Sequence, residues 1–263
     1  MRILVIGDII GSPGRRATKE AIRQIKNEQK IDCVIANGEN LSHGIGMTKK
    51  NFEEMREAGI DFFTSGNHIL KKPDIFPEME KKKVRIIRPA NFPPGVPGRG
   101  WTIVTSASGA KIAVINLLGR VFMRYNVDCP FRSLKEIVQE AKKVTDIIVV
   151  DFHAEATSEK MAMGFFMDGE VSAVVGTHTH IQTADEKILP KGTAYITDLG
   201  MTGAYDSVIG QKKEIIIQRF LTSMPLKFEI ATDNVWLHGA VISVDEKTGR
   251  AQQITRIQRR SKE

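Results

Sequence analysis

The chain has 263 residues, of which 41% are hydrophobic and 26% charged, and this composition is typical of a globular protein with one substantial core. Its net charge of +7 is moderate, and no aromatic residues interleave with the basic runs, which argues against a nucleic-acid platform. No segment has the apolar length of a membrane span, and the two cysteines lack zinc-type spacing. We therefore expect a cytoplasmic protein with free thiols and no membrane association.

Short apolar runs alternate with segments of helical spacing over residues 1–90. We predict strands at residues 3–6, 31–36, 61–64 and 84–87, and helices at residues 15–29, 48–58 and 74–83. A turn is expected at residues 11–14, Thr48 is a candidate helix cap, and the Pro- and Gly-rich residues 91–100 are expected to form a loop. This alternation is typical of an α/β protein.

The second half of the chain changes from α/β to a β-rich pattern after about residue 187. A hairpin is predicted from residues 101–106 and 111–117, followed by helices at 132–143 and 158–167 that lead to strands ending at His153 and Gly176. Later strands, with no helix between them, are predicted at residues 194–197, 215–218, 226–230, 235–244 and 251–257. We interpret residues 1–263 as one domain in which two sheets face each other and helices cover the outer faces.

The sequence Gly-Thr-His-Thr-His at residues 176–180 directly follows an apolar run. In an extended segment, side chains two residues apart leave the backbone on the same side, with Cα atoms roughly 7 Å apart. That spacing suits ligands for two metals about 4 Å apart better than two ligands for one ion. The motif alone is also compatible with two strand-end histidines that hydrogen-bond to the backbone.

Four other predicted strands also end in residues that can bind metals. They end in Gly7-Asp8, in Asn37-Gly38-Glu39-Asn40, in Ser65-Gly66-Asn67-His68 and in Asp151-Phe152-His153. In open α/β sheets, ligands gather at the carboxyl ends of parallel strands, so we predict one shared metal site. Carboxylate, amide and imidazole ligands suit Mn or Fe, with Zn or Mg as alternatives.

In their order along the chain, these motifs resemble the calcineurin-like metallophosphoesterases, whose motifs run Asp-x-His, Gly-Asp, Gly-Asn-His, His and Gly-His-x-His. The sequence departs from that pattern at Ile10, where the family has His, and at Glu39-Asn40, where it commonly has Asp. Both departures resemble the bacterial YmdB-like branch. The resemblance covers the chain from its first strand to residue 180 and implies a four-layer α-β-β-α sandwich of two facing mixed sheets.

The resemblance also implies a site with two metal ions. Position by position, the ligands would be Asp8, Glu39, Asn40 and His180 for one ion and Glu39, Asn67, His153 and His178 for the other. Glu39 would bridge the ions, and a bridging hydroxide would attack phosphorus in line. His68 would be a catalytic residue that does not bind metal and that protonates the leaving oxygen or stabilises the transition state.

Some of these residues have simpler interpretations. Asp8 could cap a helix, and Asn40 could close a turn instead of binding metal. His68 could be a histidine of the core, and His43 could only line the rim of the site. The glycine-rich loop at residues 198–206 is a weak signal for a substrate pocket.

The resemblance implies a phosphodiesterase that acts on small anionic phosphodiesters, including 2′,3′-cyclic nucleotides of the kind derived from RNA. A homo-oligomer is compatible with this interpretation. The first alternative is a phosphomonoesterase or nucleotidase on the same fold, and the second is a regulatory protein that acts mainly by binding partners. A βα-barrel amidohydrolase also carries His-x-His at a strand end. Its motif usually lies on the first strand, and the predicted helix-poor end argues against eight βα units.

Overall fold

The computed structural model describes residues 1–262. The strands are β1 (Arg2–Ile6), β2 (Asp8–Ile9), β3 (Cys33–Asn37), β4 (Phe62–Thr64), β5 (Trp101–Thr105), β6 (Lys111–Leu118), β7 (Ile148–His153), β8 (Ala173–Thr177), β9 (Lys187–Ile188), β10 (Ala194–Ile196), β11 (Met201–Ala204), β12 (Val235–Val244) and β13 (Ala251–Arg260). The helices are α1 (Gly11–Gln29), α2 (Lys49–Ala58), α3 (Phe76–Met79), α4 (Pro130–Ala141), α5 (Thr157–Phe166) and α6 (Lys213–Thr222).

The strands form two mixed sheets. In the first sheet the order is β2-β11-β12-β1-β3-β4, with β13 beside β12, and β1, β3 and β4 run parallel. In the second sheet the order is β5-β6-β7-β8-β10-β9, in which the four central strands run parallel and the edge strands run antiparallel to them. The parallel strands of both sheets therefore present their carboxyl ends at one edge each, as the predicted site requires.

The helices and sheets stack in four layers. Side chains of both sheets meet in a central core that includes Ile3, Val5, Ile35, Val114, Val149 and Val175. Leu4 and Ile6 face the opposite side of β1, where α1 and α2 pack, and α4 and α5 cover the outer face of the second sheet. Because β1 is buried on both faces, its sequence is a continuous apolar run. The predicted α-β-β-α sandwich is confirmed, and two open sheets exclude a βα-barrel.

The helix cap and the hairpin predicted from the sequence are both confirmed. The Thr48 hydroxyl accepts a hydrogen bond from the Asn51 backbone N–H at 3.3 Å and so caps α2. Strands β5 and β6 pair antiparallel as the predicted hairpin. Within residues 1–262 both cysteines are free, with Cys33 buried and Cys129 partly exposed. None of the helices in this range is long and apolar enough to cross a membrane.

Three predictions near the first sheet are wrong in their bounds or type. The predicted turn at residues 11–14 is the first turn of α1, which Gly11 enters with a φ of +55°. The predicted helix at residues 74–83 is a 3-10 turn (Pro73–Ile75) followed by the short α3. Residues 84–87 form no strand, because only an isolated bridge between Phe63 and Ile86 reaches the sheet.

The largest error concerns the end of the chain, which contains a helix. Residues 215–218, predicted as a strand, lie inside α6, and residues 226–230 make only a bridge from Gln211 to Ile230. Three consecutive isoleucines favour a strand. Only Ile216 of α6 is buried, however, so the isoleucine side chains do not pack as one face of a sheet. The backbone N–H and C=O groups of the segment form helical hydrogen bonds instead.

Candidate metal centre

The eight predicted site residues lie together where the carboxyl ends of β1, β3, β4, β7 and β8 meet. Glycines make this convergence possible. A Cβ atom on Gly7 would lie 1.9 Å from the Gly200 carbonyl oxygen, and one on Gly66 would lie 2.3 Å from Glu39 Oε2 and 2.4 Å from His153 Nε2. Both positions therefore need glycine because a side chain would displace the groups that form the site.

His153 is at the centre of one group of donors. Its Nε2 atom lies 3.1 Å from Glu39 Oε1, 3.0 Å from Asn67 Oδ1 and 3.1 Å from His178 Nδ1. Suitable donor atoms of Glu39, His153 and His178 all lie within 4.8 Å of one another. Ligands about 2.1 Å from one ion are roughly 3 Å apart when they bind at right angles. The separations of this group suit coordination of one ion.

Asp8, Asn40 and His180 form the second group. His180 Nε2 lies 3.3 Å from Asn40 Nδ2 and 3.9 Å from Asp8 Oδ1. Asp8 is fully buried, and its Oδ1 atom has no hydrogen-bond partner among the described residues. Burial raises the pKa of this carboxyl group. An unpaired buried carboxylate oxygen is costly unless a cation or a hydrogen bond compensates it, so this atom is the clearest indication of a bound metal.

Asn40 connects the second group to His68. Its Oδ1 atom accepts a hydrogen bond from His68 Nδ1 at 2.9 Å, while its Nδ2 atom points toward His180 and Glu39. In this orientation the amide oxygen orients His68 rather than facing His180. Rotation of the amide by 180° would exchange the two atoms and present the oxygen to the second group.

A buried network behind His153 fixes the orientation of its ring. The Thr177 hydroxyl donates to Asp151 Oδ1 at 2.6 Å and lies 2.9 Å from His153 Nδ1. Since the hydroxyl proton points to Asp151, His153 Nδ1 donates to Thr177, and in the neutral ring Nε2 keeps a lone pair that a metal could bind. Asp151 also accepts hydrogen bonds from Thr64 and Asn37. Burial raises the pKa of Asp151 to about 6.

The other two histidines are oriented by different acceptors. His178 Nε2 lies 3.1 Å from Glu155 Oε2, which leaves Nδ1 facing His153. His180 Nδ1 donates to the Ile209 carbonyl oxygen at 3.1 Å, which leaves Nε2 facing Asp8 and Asn40. Each histidine thus has one nitrogen held by the protein and the other free for a ligand.

The segment that carries His178 and His180 is a strained turn, so the extended conformation expected there is wrong. His178 has a φ of +99° and His180 a φ of +67°, in the left-handed region that favours glycine. Such conformations cost about 1–3 kcal/mol each and persist only where the surroundings hold them. The left-handed turns direct the His178 ring to the group around His153 and the His180 ring to Asp8 and Asn40.

Asp198 stabilises this turn through hydrogen bonds to Thr179. Its Oδ2 atom accepts hydrogen bonds from the Thr179 N–H at 3.1 Å and the Thr179 hydroxyl at 2.7 Å. Lys160 Nζ donates to the same oxygen at 2.7 Å, and both charged side chains are at most 1% exposed. The pair is part of the structure that keeps the histidines in place.

The electrostatics of the centre favour positive charge. Burial lowers the pKa of His153, but the carboxylates of Glu39 and Asp8 outweigh this effect and raise it to about 9. Burial raises the pKa of Glu39, but His153 and His68 bring it well below its usual value. The pKa of His178 falls to about 3 because of burial and the neighbouring His153. Buried carboxylates that stabilise an imidazolium so strongly would also stabilise a metal cation.

The sequence assigned no role to Asp151, Glu155 or Lys160. Asp151 could have been found because it lies two residues before His153 in β7, on the same face of the strand. Glu155 and Lys160 carry no comparable signal, since their roles depend on how α5 and its preceding loop pack against the turn.

The chain matches the family model described as YmdB-like protein over residues 4–257. It is 51% identical over 257 residues to a 2′,3′-cyclic-nucleotide 2′-phosphodiesterase of Bacillus subtilis (strain 168). The alignment covers 98% of this chain and 96% of the relative. It is also 38% identical over 255 residues to a putative phosphatase/phosphodiesterase of Mycoplasma pneumoniae, covering 94% of this chain and 89% of that protein.

Two solved structures share the fold over nearly the whole chain. A hypothetical protein from Thermus thermophilus has a TM-score of 0.92 at 39% identity and covers 100% of both chains. A novel phosphatase from Mycoplasma pneumoniae has a TM-score of 0.91 at 37% identity, covering 99% of this chain and 93% of that one. The site geometry, the family model and these relatives agree, and the chain belongs to the YmdB-like family of metallophosphoesterase-type proteins.

Proposed function

We propose that this protein is a metal-dependent phosphodiesterase that hydrolyses small cyclic phosphodiesters of the 2′,3′-cyclic nucleotide class. The observation that carries the proposal is the buried cluster of carboxylate, amide and imidazole donors around His153 and the unpaired Asp8 Oδ1 atom. The 51% identity to a 2′,3′-cyclic-nucleotide 2′-phosphodiesterase supports the substrate class.

The donor chemistry fits two ions of the Mn or Fe type, with Glu39 between the two groups. One ion would be held by Asp8, Glu39, Asn40 and His180, and the other by Glu39, Asn67, His153 and His178. Bound metals of this kind activate a water molecule as nucleophile and stabilise negative charge on phosphoryl oxygens.

The charge of the centre suits a phosphodiester. Asp8 and Glu39 are the two carboxylates among the proposed ligands, so two divalent cations would leave the loaded centre positive. A phosphodiester carries one negative charge and would be drawn to that centre. The net charge of +7 on the whole chain acts in the same direction.

His68 is positioned to act on the leaving group. Its backbone N–H donates to Glu39 Oε2 at 3.0 Å, and its Nδ1 lies 2.9 Å from the side-chain amide of Asn40. The ring is 29% exposed and lines a cleft beside the centre, unlike the buried His153. In this proposal His68 Nε2 carries the proton that passes to the leaving ribose oxygen.

The proposal is tested by metal content and turnover of two variants. Glu39→Gln removes the carboxylate shared by both groups, so we expect loss of metal and of activity on 2′,3′-cyclic AMP. His68→Ala removes only the proton donor, so we expect full metal content and about 100-fold lower kcat. Glu140→Gln, at a surface site 58% exposed, is the matched control and should behave like the wild type. A fully active Glu39→Gln would overturn the metal site.

A phosphomonoesterase is the second candidate, favoured by the names of the Mycoplasma pneumoniae relatives. The same wild-type preparation, loaded with Mn²⁺ or Fe²⁺, should be assayed on 2′,3′-cyclic AMP and on 3′-AMP. We expect kcat/KM to be far higher for the diester. Comparable turnover of the monoester would replace the diesterase proposal with a nucleotidase, and intact metal content without turnover of either compound would favour a binding role.

A further inference from the structure

A cleft of about 620 Å³ opens directly beside the metal centre. Asn40, His68 and His180 line one end of it. The other end is formed by α6 and the segment after it, through residues that include Arg219, Phe220 and Phe228. This volume lies within the range of small-molecule sites. The proposed catalytic residues occupy only one end, so most of the cleft has no role in the chemistry described above.

The far end of the cleft presents apolar side chains that the fold does not bury. Phe220 is 82% exposed, and Phe228 is 48% exposed. The Arg219 guanidinium lies 4.7 Å from the centroid of the Phe228 ring and holds that ring by a cation–π contact. Exposed aromatic residues in a concave site next to catalytic groups are typical of a ligand-binding wall.

The cleft also contains an unused hydrogen-bond acceptor. Gln211 lines the cleft, and its buried Oε1 atom finds no hydrogen-bond partner within residues 1–262. An acceptor left without a donor in such a place is costly, so a ligand that brings an N–H group would be favoured. The cleft is therefore suited to a ligand group that is flat and apolar and has a hydrogen-bond donor on its edge.

A nucleobase has both properties, and we infer that this cleft is the nucleobase subsite of the proposed cyclic-nucleotide diesterase. The base stacks against the aromatic wall of Phe220 and Phe228, and an N–H on its edge donates to Gln211 Oε1. The inference rests on the proposed function, because it takes the phosphate of the substrate to lie at the metal centre.

The position of His68 selects this cleft over a second one. The second cleft, of about 400 Å³, lies on the other side of the centre and is lined by Asn67, Phe122, Met123, Arg124, Tyr125 and His178. His68 lines the first cleft and is absent from the lining of the second. In a 2′,3′-cyclic phosphate both ester oxygens belong to the same ribose. The nucleoside must therefore stay on the side where His68 meets the leaving oxygen.

The test compares two cyclic diesters, 2′,3′-cyclic AMP and glycerol 1,2-cyclic phosphate, which shares the five-membered ring but has no base. In Phe228→Ala we expect kcat/KM for the nucleotide to fall about tenfold, mainly through KM, with the value for the glycerol compound unchanged. Gln211→Met should give a loss in the same direction. Phe122→Ala, which removes an 83% exposed ring from the second cleft, is the control and should leave both values unchanged.

Four results would overturn the subsite. An equal loss on both diesters in Phe228→Ala would show a general effect on the centre. A nucleotide-selective loss in Phe122→Ala alone would place the base in the second cleft. A changed molar mass of Phe228→Ala in solution, with the preference for the nucleotide intact, would show that the wall binds a second copy of the chain. If the wild type hydrolyses only the glycerol compound, the diesterase stands and the subsite fails. If the metal-loaded wild type hydrolyses neither, the proposed function fails.

Discussion

At the scale of single residues, the hydrogen-bond partners of the histidines decide which atoms are free for metal. Thr177 can receive the proton of His153 Nδ1 only because its own hydroxyl proton goes to Asp151. Asp151 is 1% exposed and has donors on both oxygens. We therefore propose that Asp151 is a positioning residue, which would act on a bound metal through Thr177 and His153.

Asp151→Asn should weaken metal binding without removing any ligand. An amide presents an N–H group to one of the donors that the carboxylate now accepts, so Thr177 and His153 lose their fixed orientation. We expect metal affinity to fall about 10- to 100-fold, as for partners of metal ligands in general. Titration with Mn²⁺ against a chelating dye would measure this change. Asp233→Asn, at an exposed loop position, is the control, and equal affinities in all three proteins would contradict the role of Asp151.

The site residues that could be predicted from the sequence are those that follow an apolar strand directly. Asp8, Glu39, Asn67 and His153 are of this kind, because the ends of parallel strands meet whatever the details of the loops. Glu155 could not be found in this way. It contacts His178 only because the backbone turns sharply after β7, and no local pattern indicates that turn.

At the scale of elements, helix α5 supports the turn that follows β8. Lys160 of α5 is 1% exposed and reaches Asp198, which in turn binds Thr179. The two left-handed residues of the turn, His178 and His180, lie on either side of Thr179. A buried ion pair therefore connects the packing of a helix to the orientation of two proposed ligands.

Lys160→Met should be strongly destabilising because it leaves the Asp198 carboxylate buried without its cation. Removal of one partner of a buried ion pair costs about 3–5 kcal/mol. We expect a loss of this size in the free energy of unfolding, measured with urea, together with weaker metal binding. The double variant Lys160→Met/Asp198→Asn should recover stability but not metal affinity, because the hydrogen bonds to Thr179 are changed.

The matched control for this prediction is the exposed pair of Lys142 and Glu170, whose side chains are 35% and 58% exposed. Lys142→Met should change the free energy of unfolding by less than about 1 kcal/mol. If Lys160→Met is no more destabilising than Lys142→Met, the buried pair does not support the turn.

Helix α6 shows where prediction of the elements failed. Its run Ile215, Ile216 and Ile217 favours a strand by local propensity, and Ile217 is 51% exposed in the structure. Strand propensity describes how well a side chain packs on a half-buried sheet, and these isoleucines do not lie on a sheet. Strands buried on both faces, such as β1, are predicted well because burial itself produces their continuous apolar sequence.

At the scale of the whole molecule, the candidate metal centre lies where the two sheets meet. Asp8, Glu39 and Asn67 come from strand ends of the first sheet, and His153 and His178 come from the second. The distance of 3.1 Å between His153 Nε2 and Glu39 Oε1 spans the boundary between them. Metal bound there would make contacts across the central core that the unfolded chain cannot make.

Metal should therefore stabilise the folded protein as a whole. A ligand that binds only the folded state at 100 times its dissociation constant adds about 2.7 kcal/mol to the free energy of unfolding. We expect a gain of this size when urea denaturation is measured with saturating Mn²⁺ instead of a chelator, at one pH. Glu39→Gln should show almost no gain, since it lacks the carboxylate that lies between the two donor groups. If Mn²⁺ raises the free energy of unfolding of the wild type and of Glu39→Gln equally, the metal binds elsewhere in the molecule. The contacts between the two sheets would then not depend on metal.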